Sequence, residues 1–117
     1  MKAVELLGQA QQILATRATS GLSSRMAAFL ARRALEEVIE QRCDDLAASA
    51  PRASTRSKLL ILRSLDEPGV ADRASIALNR LSNACHLHAY EMQPSVAEVE
   101  QLCGLVAGLV PSTSGPK

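Results

Sequence analysis

The residues best suited to chemistry lie in one short stretch, from position 79 to position 90. It reads Asn-Arg-Leu-Ser-Asn-Ala-Cys-His-Leu-His-Ala-Tyr. An imidazole titrates near neutral pH, so His86 is suited to moving a proton as a general acid or base. Arg80 precedes it with five residues between them, and a planar guanidinium binds phosphate through paired hydrogen bonds. Together the two side chains are the chain's main candidates for chemistry.

One side of a predicted helix would present these residues, because the region from about 70 to 92 has helical periodicity. The apolar side of this helix consists of Ala74, Leu78, Leu81, Cys85, Ala89 and Met92. Asn79, Asn83, His86 and Tyr90 collect on the opposite side, with Arg80 at its flank. Asn is a mediocre helix former, and a merely solvated side would more often carry Glu, Lys or Gln. The collection of Asn79, Asn83, His86 and Tyr90 on one side is therefore an unusual use of a helix surface and marks the candidate site.

The same stretch allows two other interpretations. Cys85, His86 and His88 carry metal-binding atoms, but the two histidines diverge by about 200° on a helix, so they cannot share one ion. The sequence accordingly predicts no metal and no other cofactor. The second interpretation is structural: His86 and Tyr90 would form a polar seam between helices or between two copies of the chain.

The composition predicts helices. The chain has 117 residues, among them 19 Ala and 17 Leu, against one Phe, one Tyr and no Trp. Ala and Leu favour helices, whereas strands favour β-branched and aromatic residues. The net charge of +1 argues against a protein that attracts nucleic acid with its whole surface, although local basic patches stay possible.

Periodicity, caps and breakers divide the chain into five helices with short connections. They are predicted over about 2–15, 22–46, 55–65, 70–92 and 95–110. Ser95 and Glu98 have the Ser-x-x-Glu spacing of a capping box at the start of the last helix. The sequence therefore predicts an all-α, up-and-down bundle of four to five helices, with one domain over 1–110 and a flexible tail over 111–117.

The predicted core follows the apolar repeats. It includes Leu30, Leu35, Ile39, Leu60, Leu78, Leu81 and Cys85, and the third helix also contributes Leu59, Leu62 and Leu65. Val4 is assigned to the apolar stripe of the first helix, and Met26 and Phe29 to that of the second. Four alanines thin one side of the second helix, which lets a neighbouring helix approach closely; they are Ala27, Ala28, Ala31 and Ala34.

The cysteines and the N-terminal residues indicate the cellular compartment in which we expect the chain. Cys43, Cys85 and Cys103 are odd in number, widely spaced and without a Cys-x-x-Cys pair. The N-terminal residues lack the unbroken apolar stretch of a signal peptide, and no apolar run reaches the 18 residues of a membrane span. We expect no membrane association, a cytoplasmic location and reduced thiols that pack as small hydrophobes.

Charge is segregated along the chain. Four basic residues and no acid occur from 17 to 33, and again from 52 to 63, while acidic residues cluster between them. The favoured interpretation is solvated faces with ion pairs between helices; the alternative is one basic and one acidic binding surface. The basic third helix also allows a helix-turn-helix contact with DNA, although we expect its leucine-rich run to be buried.

The Arg80-x5-His86 pattern fits the Arg-x(4–6)-His signature of HEPN domains, helical bundles found in many prokaryotic toxins and RNA-cleaving defence proteins. The segment from 27 to 36, Ala-Ala-Phe-Leu-Ala-Arg-Arg-Ala-Leu-Glu, is similar to the alanine-rich second helix of such domains. The order of elements agrees too, with two long helices first and the motif on a later one. The resemblance covers residues 2 to 92.

This resemblance implies a metal-independent ribonuclease of toxin or defence type, with Arg80 holding the scissile phosphate and His86 moving the proton. It makes Asn79, Asn83 and Tyr90 the substrate-binding residues. It also implies a homodimer that pairs two motifs around one cleft, an RNA or nucleotide ligand, and a cognate protein partner. The chain departs from the pattern at Leu81, since ribonuclease members usually have a polar residue there; Asn79 or Asn83 is the spatial substitute we consider. The alternative is a non-catalytic helical interaction or dimerisation module, antitoxin-like or regulatory.

Overall fold

A computed structural model describes residues 2–15, 21–50, 52–85 and 95–111. These ranges contain five helices and no strand: α1 (Lys2–Ala15), α2 (Gly21–Asp45), α3 (Thr55–Leu65), α4 (Val70–Cys85) and α5 (Val96–Leu109). The all-α prediction is confirmed, and the observed bounds of α1 and α3 are the predicted ones. The predicted continuation of α4 beyond Cys85 lies outside the described residues, as does the predicted tail after Pro111.

Side-chain caps and a glycine turn explain several helix ends. Ser54 Oγ accepts a hydrogen bond from Ser57 N at 3.1 Å, and Ser95 Oγ accepts one from Glu98 N at 3.0 Å. Each bond satisfies a backbone donor that the first turn of a helix would otherwise leave open. The Ser95 cap predicted from the sequence is therefore confirmed. After α3 the chain turns at Gly69, whose φ of +89° favours glycine.

Four helices form the bundle. α1 contacts α2, α2 contacts α4, α4 contacts α5, and α5 closes the ring by contacting α1. α2 and α4 run antiparallel, because Met26 and Phe29 near the start of α2 line a cavity with Cys85 at the end of α4. At the other end of the bundle, Arg42 Nε donates to the carbonyl oxygen of Leu109, the last residue of α5, at 2.7 Å.

α3 lies across one end of this bundle. Lys58 Nζ in its first half is 3.7 Å from Glu40 Oε1, and Asp66 just after its end pairs with Arg42. Both ends of α3 therefore meet the same turn of α2, which requires the two helices to cross. Interhelical ion pairs, the favoured interpretation of the charge pattern, are observed here.

The crossing of α3 corrects part of the predicted core. Lys58 and Leu62 form its buried side, whereas Leu60 and Leu65 are 59% and 56% exposed. Leu60 lies two residues from each of the buried positions, so it points to the other side of the helix. The prediction that Leu60 and Leu65 are core residues is wrong, whereas the rest of the leucine-rich run is buried as expected, with Leu62 in the core and Leu59 and Ile61 packed against it.

The rest of the predicted core holds with three further corrections. Leu35, Ile39 and Leu81 are fully buried, and Leu30, Leu78 and Cys85 are partly buried against them. Met26, Phe29 and, in α1, Val4 are half exposed and do not belong to the core. In α2 the buried side is set by the alanines, which are all fully buried (Ala27, Ala28, Ala31 and Ala34). Because that side packs backbone close to backbone, the large Met26 and Phe29 point away from it.

Candidate functional site

The exposed side of α4 carries three of the predicted site residues. Asn79, Arg80 and Asn83 are exposed, whereas Leu81 between them is fully buried. The burial of Ala77, Leu81 and Ala84 fixes the rotation of the helix about its axis. The core contacts of α4 therefore hold the two amides and the guanidinium outward as one polar surface.

Arg80 is available to an external anion. Among the residues that the structure describes, no carboxylate pairs with its guanidinium. An ion pair does form nearer the start of the same helix, where Asp72 Oδ1 is 3.1 Å from Arg63 Nη2. An arginine without an internal counterion can give all its donors to a phosphate.

Two predicted site residues, His86 and Tyr90, lie outside the described residues, as does His88. The structure thus brings together Asn79, Arg80 and Asn83. The pairing of Arg80 with His86 stays a prediction.

A cavity of about 370 Å³ lies between the start of α2 and the end of α4. The described residues that line it are Arg25, Met26, Phe29, Leu30 and Cys85. This site was not predicted from the sequence, because the apolar spacing of α2 places Phe29 and Met26 in the core. The alanines of α2 could have indicated this site. They mark the side of the helix that packs closely against its neighbours, and Met26 and Phe29 lie on the other side.

Charged side chains of both signs from α2 act on the thiol of Cys85 in this cavity. Burial raises the pKa of the Cys85 thiol above its usual 9.0, and Arg32, which hydrogen bonds to it, acts in the opposite direction. Arg25 also lowers this pKa and Glu36 raises it. The thiol is therefore protonated at neutral pH, and the charge of Arg32 is offset by Glu36, whose Oε2 lies 3.6 Å from Arg32 Nε.

Within the described ranges, no group of three His, Cys, Asp or Glu side chains could hold a metal ion. In the same ranges, none of the helices has the length and apolar character needed to cross a membrane.

Comparison with known proteins gives no match: no family model, curated protein or solved structure is significantly similar to the chain. The HEPN resemblance therefore depends on the residues of this sequence, above all Arg80, His86 and the alanine-rich second helix.

Proposed function

We propose that this chain is a HEPN-like helical domain that binds RNA through the exposed side of α4 and cleaves it without a metal ion. The observation that carries the proposal is Arg80, which is exposed, pairs with no described carboxylate and lies between exposed Asn79 and Asn83. Its guanidinium would hold the scissile phosphate and offset the negative charge that develops in the transition state. The two amides would donate to phosphate or base oxygens.

In the proposed reaction, the ribose 2′-oxygen attacks the neighbouring phosphorus and the bond to the 5′-oxygen breaks. The 2′-hydroxyl loses its proton as the new bond forms, and the leaving oxygen gains one. His86 would carry out one of these proton transfers, since an imidazole exchanges protons readily near neutral pH. The products would be a 2′,3′-cyclic phosphate and a free 5′-hydroxyl.

Binding and chemistry are tested separately with two variants. In EDTA, fluorescence anisotropy should show that His86→Ala binds a labelled RNA oligomer about as tightly as the unchanged chain but leaves it intact. Arg80→Ala should bind more weakly and have a smaller dependence of affinity on salt, because one phosphate contact is lost. RNA binding that is unaffected by Arg80→Ala would contradict the proposal.

A second candidate function, a non-catalytic dimerisation module, is favoured by a different observation. Leu81 beside Arg80 is fully buried, whereas RNA-cleaving members of the proposed family usually have a polar residue at that position, which argues against catalysis. Large apolar side chains such as Leu60 and Ile76 are at least half exposed, which is typical of a surface that another copy covers. Under either function we expect a homodimer. Light scattering at micromolar concentration should give twice the chain mass of 12.4 kDa; a dimer without any RNA cleavage would favour the second function.

A further inference from the structure

The four basic side chains of the segment 52–63 fall into two groups in the structure. Lys58 Nζ is 3.7 Å from Glu40 Oε1, and Arg63 Nη2 is 3.1 Å from Asp72 Oδ1. A carboxylate beside a cation cancels most of the attraction that the cation would exert on another anion. The protein itself therefore already neutralises two of these four charges.

Arg52 and Arg56 form the second group. Both are exposed, and within the described part of the chain no carboxylate pairs with either guanidinium. Arg56 lies in the first turn of α3, and Arg52 precedes it by four residues. The two side chains can therefore give their donors to an external anion, as Arg80 can.

The ion pair between Arg63 and Asp72 relates this basic surface to Arg80. Its two side chains are 60% and 66% exposed, so the pair lies on the outer surface where α3 meets α4. Arg56 precedes Arg63 by seven residues, or two turns, which places it on the same side of α3 about 10.5 Å along the axis. Arg80 follows Asp72 by eight residues, about 12 Å along α4.

The path from Arg56 to Arg80 is short enough for one strand of RNA. It consists of these two helix segments and the ion pair that joins them. Stacked nucleotides rise roughly 3.4 Å each, so a strand of about ten nucleotides is roughly 34 Å long. Such a strand can place one phosphate at each arginine.

The charges of α1 and α5 have the opposite sign. Together these helices carry three exposed carboxylates, those of Glu5, Glu98 and Glu100, and one cation, Lys2. Among the described residues α1 contacts neither α3 nor α4. An anionic strand is therefore attracted to the side of the bundle that carries Arg56 and repelled from the other helices.

We propose that bound RNA extends from Arg80 of α4 to the start of α3, where Arg56 binds a second phosphate and Arg52 lies beside it. This inference rests on the RNA-binding function proposed above and adds a contact on a different helix. Lys58 and Arg63 take no part in the contact, because carboxylates of the protein already neutralise them. Arg56 is thus a binding residue, remote from the phosphate that is cleaved.

The test measures the affinity for a labelled single-stranded RNA of twelve nucleotides as a function of salt. Arg56→Ala should lower the slope of log affinity against log salt concentration by about 0.7, the effect of one lost phosphate contact on a single strand. At 0.1 M salt this corresponds to about fivefold weaker binding. Arg56 is exposed, so the variant should fold, which circular dichroism can verify.

Two further variants separate a local contact from a general effect of charge. Arg56→Lys keeps the positive charge and should keep the slope, with an affinity within about twofold of the unchanged chain. Lys2→Ala removes one positive charge from α1, which is remote from the proposed path, and should change neither slope nor affinity. Equal slopes for Arg56→Ala and Lys2→Ala would overturn the proposal.

A double variant tests whether Arg56 and Arg80 bind different phosphates. Arg56→Ala combined with Arg80→Ala should lower the slope by about 1.4, twice the effect of either substitution. A double variant no weaker than Arg80→Ala would overturn the second contact. If Arg80→Ala weakens binding but Arg56→Ala does not, the path over α3 is wrong and the proposed function stands. If the unchanged chain binds no RNA, both are wrong.

Discussion

Arg42 and Asp66 form a two-point ion pair that joins α2 to the end of α3. Arg42 Nη1 is 2.9 Å from Asp66 Oδ2 and 3.1 Å from Oδ1, and Arg42 Nε donates to the carbonyl of Leu109. The two side chains are only 19% and 7% exposed. One guanidinium thus ties together three helix ends: those of α2, α3 and α5.

Replacement of Arg42 by Ala should destabilise the protein by about 2–3 kcal/mol, because it leaves Asp66 largely buried without its partner. Urea unfolding followed by circular dichroism measures the change. The matched control is Arg63→Ala, which breaks an ion pair whose side chains are 60% and 66% exposed and should cost less than about 0.5 kcal/mol. Equal losses for the two variants would contradict the role given to Arg42.

Two leucines test the assignment of the core. Leu81→Ala should destabilise the protein by about 2–5 kcal/mol, because it opens a cavity at a fully buried position. Leu60→Ala, the same substitution at an exposed position, should change stability by less than about 0.5 kcal/mol. A large loss for Leu60→Ala in thermal or urea unfolding would show that α3 packs differently.

Stability should fall as pH rises from about 9 to about 11. Burial, with a smaller effect of Glu100, raises the pKa of the Cys103 thiol from 9.0 to about 11 in the folded state. Below pH 9 the thiol is protonated in both states, so its contribution is fully present. Above pH 9 the unfolded chain releases the proton first, which favours unfolding by up to about 1.4 kcal/mol per pH unit.

The control for this pH dependence is Cys103→Ala. Its unfolding free energy should be lower at pH 8, because a buried side chain is truncated, but should decline less steeply between pH 9 and 11. Cys43 and Cys85, whose pKa values burial also raises, keep part of the slope. Parallel pH profiles for the two proteins would show that Cys103 titrates normally in the folded state.

Local signals predicted the helices well. The Ser95 cap and the Asp-Glu-Pro-Gly break after Leu65 act through neighbouring residues, so the sequence alone contains the information. The rotation of α4 was also predictable, because the apolar spacing that buries Leu81 leaves Asn79 and Arg80 outward. Both orientations follow from the spacing of residues along one helix, which the sequence contains.

The orientation of α3 was not predictable in the same way. Lys58 is buried because Glu40 of α2 lies beside it, and Leu60 is exposed because the other side of α3 meets the bundle. Residue type alone predicts an exposed lysine and a buried leucine. Likewise, only the position of α4 shows that Phe29 and Cys85 share a cavity, since the two residues are far apart in sequence.

The central claim is that the chain cleaves RNA and that this cleavage depends on Arg80. The most direct test compares the single-turnover cleavage rates of Arg80→Ala and Arg73→Ala in EDTA. Both replace an exposed arginine of α4, but only Arg80 belongs to the motif with His86. We expect Arg80→Ala to lower the rate about 10²- to 10³-fold, the typical effect of removing a group that stabilises developing charge, and Arg73→Ala to change it less than about threefold. Equal rates for the two variants, or no cleavage by the unchanged chain, would contradict the account.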